Sequence, residues 1–436
     1  MRKQTFTRAV AALGIAALSV GVAVSAPATA APTAAKKLTG TLTVLTKFAD
    51  PAYAPYFQSV ADAFQKANPG LKLDFQQVGD QPYKDKIRVL TTAKKLPDVY
   101  FSWAGDFAGK FVRAGLAADL TKELNSAWGK SLAPAAVSAF QYSGKKYGVP
   151  INLDAKVFVY NKKLFAQAGV KVPSTFANLL TACDKLKAAG IEPIAFGNQF
   201  GWPAIHYMTQ LNAQNVPAAT LNSDYDPKVG KFTHPGYVKA LDQFMQINSH
   251  CLTQKSNGIA HGTARANLTA GKAAMQYVEI VEFPNYDSAK VGADFASVWD
   301  FFPMPPIAGA AGDQGALTGA PDGFMISSKT KNKAAAVAFL QFLTNKSNAQ
   351  KMTADLGWLS PVAGSTTLDN SDDHLQKALT TIQSAKSMAI WLDTVTHADV
   401  ANAYLAGVQG MLDGSKSSAD VMNDVRAAAA RAKTTV

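Results

Sequence analysis

The sequence predicts an α/β protein built from two lobes, with a ligand cleft between them and a helical carboxyl-terminal tail. The chain has 436 residues, which corresponds to two or three domains of ordinary size or to one large bilobed body. Hydrophobic residues make up 48% of it, which is enough for a substantial core and excludes disorder for most of the chain. Strand-like and helix-like segments alternate from residue 40 onward, and this rhythm favours a mainly parallel sheet flanked by helices in each lobe.

The first lobe is predicted from short β-prone runs that alternate with segments of helical periodicity. Strands are expected at residues 40–46, 71–78 and 97–101, and helices at residues 56–64 and 83–95. In sheets of this kind, ligands bind beyond the carboxyl ends of the strands. The residues that follow the three strands are therefore candidate ligand contacts, among them Phe48, Asp80, Trp103 and Asp106.

The second lobe is predicted from the same alternation further along the chain. Strands are expected at residues 155–160, 191–196 and 273–281, and helices at residues 175–189 and 237–248. The last 60 or so residues have helical patterns, ending in an alanine-rich helix at residues 417–433. We expect a first lobe of residues 39–148, completed by about 285–320, and a second lobe of residues 149–284, completed by about 321–436.

The first thirty residues have the three parts of a signal peptide. Arg2, Lys3 and Arg8 supply a positive start, residues 9–24 are small and apolar, and Ala28-Thr29-Ala30 fits the cleavage pattern. These features predict cleavage after Ala30, a flexible lead-in at residues 31–38, and a secreted or periplasmic protein. No cysteine lies directly after the apolar stretch, so no acylated-cysteine anchor is expected.

Charge and cysteine content exclude several classes of function. The formal net charge is +12, but no basic stripe is interleaved with aromatic residues, so nucleic-acid binding is not expected. An anionic cell surface or wall polymer is the more natural neighbour of such a chain. The two cysteines exclude a disulfide-scaffolded mini-fold and a cysteine-rich metal site. Cys183 and Cys251 are either a disulfide, which secretion would permit, or two buried thiols.

Motifs of catalysis are missing from the chain. There is no G-x-S-x-G elbow, no G-x-G-x-x-G loop and no H-E-x-x-H motif, and the six histidines are scattered without metal-ligand spacing. We therefore predict no catalytic residue, no metal and no cofactor.

Aromatic and polar side chains accumulate instead at strand ends and in loops. An aromatic ring stacks on the apolar face of a pyranose, while carboxylate and amide groups hydrogen-bond to neighbouring hydroxyls. Each such residue taken alone is more often a core or turn residue, but together they favour a sugar site. Besides Phe48 and Asp80, the candidates are Trp103, Asp106, Asn152, Asp154, Phe200, Trp202, Asp322, Trp358 and Trp391.

Six segments, in the order in which they occur, resemble the extracellular solute-binding proteins of ABC importers. They are P-D-V-Y-F-S-W-A-G-D at 97–106, A-G-L-A-A-D-L at 114–120, G-V-P at 148–150 leading to V-Y-N-K-K-L-F at 159–165, G-K-A-A-M at 271–275, S-S-K-T-K-N-K-A-A-A-V-A-F-L at 327–340 and G-W-L-S-P-V at 357–362. The resemblance is to the carbohydrate-binding group that includes maltose-binding protein. It implies a periplasmic-binding-protein-like fold with hinge crossovers, and a monomer that closes over a mono- or oligosaccharide and hands it to a membrane-embedded permease.

The resemblance also implies roles for individual residues. Trp103, Asp106 and Asp154 match sugar-binding positions, and Phe200 with Trp202 matches an aromatic stacking pair. One position departs from the family pattern, because Glu279 begins the segment where the family usually has Gly-x-Trp. A hydrogen bond from the ligand to Glu279 is expected there in place of stacking.

Two other functions stay open at this stage. The same fold could bind a non-sugar solute, such as a glycerol phosphodiester or a polyamine. A secreted glycosidase is the alternative from another class, with Asp106 and Asp154 as its two carboxyl groups.

Overall fold

Two mixed β-sheets, each with its own hydrophobic core, organise the computed structural model. The structure describes residues 37–252 and 255–435. The predicted signal peptide, residues 1–30, and nearly all of the lead-in lie outside these described residues. From Leu38 onward the chain forms one compact unit. No helix among the described residues is both long enough and apolar enough to cross a membrane.

The elements have the following bounds. The strands are β1 (Gly40–Thr46), β2 (Leu71–Gln77), β3 (Val99–Trp103), β4 (Gln141–Tyr142), β5 (Lys145–Lys146), β6 (Gly148–Pro150), β7 (Lys156–Asn161), β8 (Glu192–Ile194), β9 (Ala273–Glu279), β10 (Trp299–Phe302), β11 (Ala316–Thr318), β12 (Asp322–Ile326) and β13 (Ser387–Ala389). The helices are α1 (Ala54–Ala67), α2 (Asp80–Thr92), α3 (Asp106–Arg113), α4 (Thr121–Leu124), α5 (Ala127–Lys130), α6 (Pro134–Ser138), α7 (Lys162–Gln167), α8 (Phe176–Ala188), α9 (Trp202–Asn215), α10 (Ala218–Tyr225), α11 (Gly236–Cys251), α12 (His261–Thr269), α13 (Ser288–Val291), α14 (Ala293–Ala296), α15 (Lys333–Leu343), α16 (Lys346–Leu356), α17 (Asp373–Ser384), α18 (Leu392–Val395), α19 (Ala398–Leu412) and α20 (Ser418–Ala432). Short 3₁₀ helices occupy Ser256–Gly258 and Ile280–Tyr286.

The first sheet has the strand order β2-β1-β3-β12-β6. β1 runs parallel to β2 and β3, whereas β12 runs antiparallel to both β3 and β6. The register places Asp322, the first residue of β12, opposite Trp103, the last residue of β3. Helices α1, α15 and α16 contribute apolar side chains such as Phe57, Phe339 and Met352 to the core of this sheet.

Helix α1 shows how the local sequence sets an element of this lobe. Pro55 lies in its first turn, where the missing N–H leaves no hydrogen bond unmade. Tyr56, Phe57, Val60 and Phe64 follow at helical spacing and are all buried. The helix ends at Ala67, directly before the Asn-Pro-Gly turn at residues 68–70, which cannot continue a helix.

The second sheet has the order β10-β7-β9-β8, and it is covered by helices on both faces. Strand β7 is buried throughout, and its successive side chains alternate between two cores. Phe158 and Tyr160 pack with α8, α9 and α11, while Val157 and Val159 pack with α12 and α17. Such two-sided burial explains the uninterrupted apolar run V-F-V-Y at residues 157–160 of this strand.

The α/β class is confirmed, but the sheets are mixed and not mainly parallel. Antiparallel neighbours enter each sheet from later parts of the chain, namely β12 in the first sheet and β10 beside β7 in the second. Both are runs of four or five mostly apolar residues, and a period-2 pattern carries no information on strand direction. Each predicted helix or strand named above agrees with an observed one to within three residues at either end. The short strand β13 lies in the tail that was expected to be helical.

The segments expected to complete each lobe were assigned to the wrong sheets. Strand β10, within the 285–320 segment, pairs with β7 of the second sheet. Strand β12 joins the first sheet, and α15 and α16 pack on that core, although residues 321–436 were assigned to the second lobe. Helices α19 and α20 do pack on the second lobe, so this last segment is divided between the two cores.

A disulfide joins Cys183 of α8 to Cys251 at the end of α11, with the two Cα atoms 5.1 Å apart. Both cysteines are fully buried in the core that covers one face of the second sheet. The bond therefore ties together two helices that are 68 residues apart in the chain.

We expect the double variant Cys183→Ala/Cys251→Ala to lose about 2–5 kcal/mol of unfolding free energy, because an open chain gains entropy in the unfolded state. Urea denaturation followed by circular dichroism measures the loss. Wild-type protein reduced with a thiol reagent is the control and should fall by a similar amount. An unchanged denaturation midpoint after complete reduction would contradict this expectation.

Candidate ligand-binding site

A cavity of about 550 Å³ lies where the two sheets face each other. Its walls come from the loop after β1, the start of α2, the end of β3, the starts of α9 and α12, the end of β9, the start of β12 and the segment around α18. Several of these positions directly follow strands, as expected for an α/β sheet. The lining includes Lys47, Phe48, Tyr53, Asp80, Lys84, Trp103, Asp154, Phe200, Trp202, His206, His261, Arg265, Glu279, Glu282, Asp322, Trp358, Trp391 and Asp393.

Ten of the twelve residues proposed as ligand contacts from the sequence line this cavity. They are Phe48, Asp80, Trp103, Asp154, Phe200, Trp202, Glu279, Asp322, Trp358 and Trp391. Asp106 and Asn152 are not part of the lining. Ligand contact by any of the ten stays a prediction, and the environments of several of them differ from a simple stacking or hydrogen-bonding role.

Asp106 is directed to a structural ion pair and not to the cavity. It is the first residue of α3, and its carboxylate accepts two hydrogen bonds from Arg113, at 2.5 and 3.0 Å. Two parallel hydrogen bonds of this kind fix a carboxylate firmly. The structure therefore places Asp106 in an ion pair outside the cavity lining, whereas Asp154 lies in the lining, so the two do not face each other across it as a pair of carboxyl groups.

Asn152 acts on the cavity through a neighbour. Its side chain is fully buried, and its Oδ1 accepts a hydrogen bond of 2.7 Å from the backbone N–H of Asp322. This contact positions the first residue of β12, whose carboxyl group does line the cavity. Asn152 is thus a positioning residue.

Phe48 and Trp358 form the apolar floor at the first sheet. Phe48 stacks on Phe57 with ring centroids 4.3 Å apart and meets the edge of Trp358 at 5.4 Å. The indole N–H of Trp358 donates a 3.0 Å hydrogen bond to the carbonyl of Val281. Both side chains belong mainly to the core, being 2% and 1% exposed.

Trp103 is flanked by cations. The ammonium groups of Lys47 and Lys84 each lie 4.9 Å from its ring centroid, which is the arrangement of a cation–π contact. Lys84 also contacts Asp80 at 3.1 Å, and Lys47 contacts Asp80 at 3.7 Å and Asp322 at 3.5 Å. The two lysines were not among the ligand contacts predicted from the sequence, although Asp80 and Lys84 have the i, i+4 spacing of a helical ion pair.

The second sheet contributes a stack of aromatic rings. His206 lies against Trp391 with centroids 4.4 Å apart and an interplanar angle of 24°, and Trp202 lies 5.1 Å from His206. Phe200 stands at the edge of this group and is 54% exposed. His206 was not predicted, but its spacing of four residues from Trp202 on α9 places both on one helix face.

Two acidic side chains flank the imidazole of His206. Its Nδ1 lies 3.4 Å from Glu279 Oε1, and its Nε2 lies 3.9 Å from Asp393 Oδ1. Burial lowers the pKa of His206 well below its ordinary value, and the charge of Lys156 adds to this shift. The imidazole is therefore neutral at physiological pH.

A separate ion-pair group forms the wall at α12. The carboxylate of Glu282 lies 2.9 Å from His261 Nε2 and accepts a 2.9 Å hydrogen bond from Arg265. Burial alone would raise the pKa of Glu282, but these partners outweigh it and hold the pKa below its ordinary value. Glu282 was not selected from the sequence.

The pKa values of the remaining carboxyl groups are shifted in different directions. Burial raises the pKa of Asp322 to about 6, although Lys47 opposes the shift. Burial also raises the pKa values of Asp154 and Asp393, and Glu279 and Asp322 add to the shift at Asp154. At Asp80, burial is outweighed by Lys84 and Lys47, which lower its pKa.

Two α/β sheets with separate cores and a cavity of aromatic and ionisable side chains between them define the architecture of a bilobed solute receptor. The chain belongs to the bacterial extracellular solute-binding proteins, whose family model matches residues 49–350. It is 25% identical over 375 residues to the maltotriose-binding protein of Pyrococcus abyssi, covering 82% of this chain and 73% of that protein. It is likewise 25% identical over 341 residues to the multiple sugar-binding protein of Streptococcus mutans, covering 76% of each.

Solved structures share the two-lobed fold. A chitin oligosaccharide binding protein superimposes with a TM-score of 0.82 over 91% of this chain and 99% of that chain, at 21% identity. The GacH receptor of Streptomyces glaucescens superimposes with a TM-score of 0.75 over 91% and 99% of the two chains, at 19% identity. These likenesses establish the fold.

We predict that Asp322 makes the stability of the protein depend on pH. A carboxyl group whose folded pKa is raised stabilises the fold at low pH, and this stability is lost as pH rises from its ordinary pKa of 3.8 to about 6. Asp322→Asn should remove that loss, so its stability relative to wild type rises by up to roughly 3 kcal/mol between pH 4 and 7.

Urea denaturation at several pH values measures this difference, with Asp369→Asn, at an exposed position outside the cavity lining, as the matched control. Parallel stability curves for Asp322→Asn and wild type would show that Asp322 does not titrate in this range.

Proposed function

We propose that this protein is a secreted receptor that captures a carbohydrate between its two lobes and delivers it to the permease of an ABC transporter. The observation that carries the proposal is the cavity, which combines indole faces with buried carboxyl groups. Its volume of about 550 Å³ lies within the range of about 300–1,000 Å³ that is usual for small-molecule sites. The names of the relatives, which bind maltotriose and multiple sugars, support a saccharide ligand.

Capture by hinge closure follows from the way the chain passes between the sheets. On this proposal the first lobe consists of residues 39–150, 322–356 and 360–363, and the second of residues 156–318 and 375–432. The chain passes from one sheet to the other at residues 151–155 and 319–321, and residues 357–359 lie beside the first of these passages, where Leu153 donates its N–H to the carbonyl of Leu359. We call these three segments the crossover. A ligand that contacts both lobes favours the closed arrangement, because only there are both sets of contacts made.

The ligand contacts are proposed to come from both sides of the cavity. Asp80, Trp103 and Asp322 belong to the first lobe, while Trp202 and Glu279 belong to the second. Carboxylates accept hydrogen bonds from sugar hydroxyls, and the exposed ring of Phe200 offers a stacking face at the rim. Binding and release of the solute require no bond to be broken, so we assign no catalytic residue.

The proposal extends to the cellular setting. Residues 1–30 are proposed to direct export and to be removed after Ala30. The mature protein is proposed to act as a monomer that meets a membrane-embedded permease through both lobes.

A panel of mono- and oligosaccharides tested by thermal shift examines the carbohydrate proposal. A bound sugar should raise the melting temperature with increasing concentration, because it binds only the folded state. Failure of every sugar to change the melting temperature would overturn the carbohydrate ligand.

Phe200→Ala tests the stacking role at the rim. Loss of one stacking contact of about 0.5–1.5 kcal/mol should weaken binding of the best sugar about three- to tenfold. Isothermal titration calorimetry measures the affinity. Leu368→Ala is the matched control, because Leu368 is 81% exposed and lies outside the cavity lining. Equal affinities in the two variants would remove Phe200 from the site.

A further inference from the structure

The ionisable groups of the cavity lining are unbalanced in favour of acids. Seven carboxyl side chains line the cavity, against three side chains of lysine or arginine. The three cations are engaged in the ion pairs described above, with Asp80, Glu282 and Asp322 as their partners. Of the other lining carboxyl groups, that of Glu279 lies 3.9 Å from the buried ammonium of Lys156, whereas those of Asp50, Asp154 and Asp393 have no lysine or arginine nitrogen within 4 Å among the described residues.

Polar atoms without hydrogen-bond partners lie at the second-lobe end of the cavity. His206 is only 5% exposed, and its Nδ1 has no hydrogen-bond partner among the described residues. The same holds for Asp393 Oδ1 on the other side of the imidazole. Buried polar groups are usually paired, because an unpaired one loses its hydrogen bonds to water without replacement. A ligand that donates hydrogen bonds would pair both atoms.

The surroundings of these atoms suit a positively charged donor. Trp202 and Trp391 lie against His206, and indole faces attract cations. The protein's own Lys156 shows this preference, because its ammonium lies 5.0 Å from the ring centroid of Trp202 and 3.9 Å from Glu279. The neutral imidazole of His206 has one unprotonated nitrogen that can accept a hydrogen bond.

We propose that the bound saccharide carries a cationic amine, whose ammonium group is held by Glu279, Asp393 and His206. This inference rests on the proposed carbohydrate-receptor function and specifies its ligand as an amino sugar. An ammonium supplies three donors and one positive charge, which matches two carboxyl groups and one neutral imidazole. It also offsets the excess of acids over bases in the lining.

Buried carboxyl groups can also bind a neutral sugar, and the affinity then depends on pH in the opposite way. A protonated carboxyl group donates to a neutral hydroxyl, and burial does raise the pKa of Asp393. Affinity for a neutral sugar held in this way falls as pH rises and the proton is lost. Affinity for an ammonium rises over the same interval, because the carboxyl group of Asp393 becomes charged while the amine is still protonated.

Calorimetric titration of the intact protein with matched ligands tests the proposal. The ligands are glucosamine, glucose and N-acetylglucosamine, together with their β-1,4-linked di- and trisaccharides, and maltotriose as a further neutral reference. We expect at least one amino sugar to bind tenfold or more tightly than its neutral counterparts at pH 7. Its affinity should rise between pH 4 and pH 6, where the amine is fully protonated and Asp393 loses its proton.

Variants locate the ammonium within the cavity. Asp393→Asn keeps the size of the side chain and removes its charge, so the preference for the amine over its neutral counterparts should fall at least fivefold. Glu279→Gln should also lower the preference for the amine. Because this variant removes the carboxylate beside the buried ammonium of Lys156, a melting curve checks that it still folds. Asp62→Asn on the exposed face of α1 is the matched control and should leave the preference unchanged.

The outcomes separate this inference from the function on which it rests. Binding of neutral sugars, maltotriose included, without a preference for any amino sugar overturns the inference and leaves the carbohydrate receptor intact. An amino-sugar affinity that falls between pH 4 and pH 6 also overturns it. If no saccharide of either kind binds, both the inference and the proposed function fail.

Discussion

The packing of the crossover is the constraint on which the rest of the structure depends. Leu153 donates its backbone N–H to the carbonyl of Leu359 at 2.7 Å, which joins two crossover segments directly. Gly319, in the crossover segment at residues 319–321, has no room for a side chain, because a Cβ there would lie 2.2 Å from the carbonyl oxygen of Asp154. Asp154 Oδ1 also accepts a hydrogen bond from the N–H of Val281, at 3.3 Å. The three segments are therefore held together by backbone contacts, and both sheets are placed by them.

This arrangement explains why the ionisable groups of the cavity cost folding free energy. Asp154 and Asp322 adjoin the crossover, where close backbone packing excludes water, and burial raises both pKa values. A chain selected for stability alone would place apolar residues there. Carboxyl groups in such positions indicate a site in which folding stability is given up for binding. The ion pairs of Lys47 and Arg265 offset only part of that cost.

The sequence predicts the succession of elements better than their arrangement. Periodicity locates α1 and β7 because each depends on neighbouring residues, and the positions after strands point to the cavity because strand ends meet at one edge of a sheet. The direction and the partners of β12 depend on contacts with residues 170 or more positions earlier in the chain, such as Asn152. The surroundings of Trp103 depend on Lys47, which is 56 residues away in the chain, so a residue pattern alone does not distinguish a stacking platform from a cation–π site.

On the proposal of hinge closure, the same few contacts couple binding to lobe movement. Asp322 lines the cavity, its N–H is held by Asn152 Oδ1, and its carbonyl accepts a 2.9 Å hydrogen bond from Ile151 at the start of the crossover. A ligand that engages the carboxyl group of Asp322 therefore acts on a residue whose backbone is fixed to a hinge segment. Glu279 stands in the same relation on the other lobe, because the next residue, Ile280, donates its N–H to the carbonyl of Ala155 at 2.9 Å. One ligand that contacts both carboxyl groups would therefore act on both ends of residues 151–155. A ligand drives closure only if it binds the closed lobes more tightly than the open ones, and contacts at this segment would supply that difference in affinity.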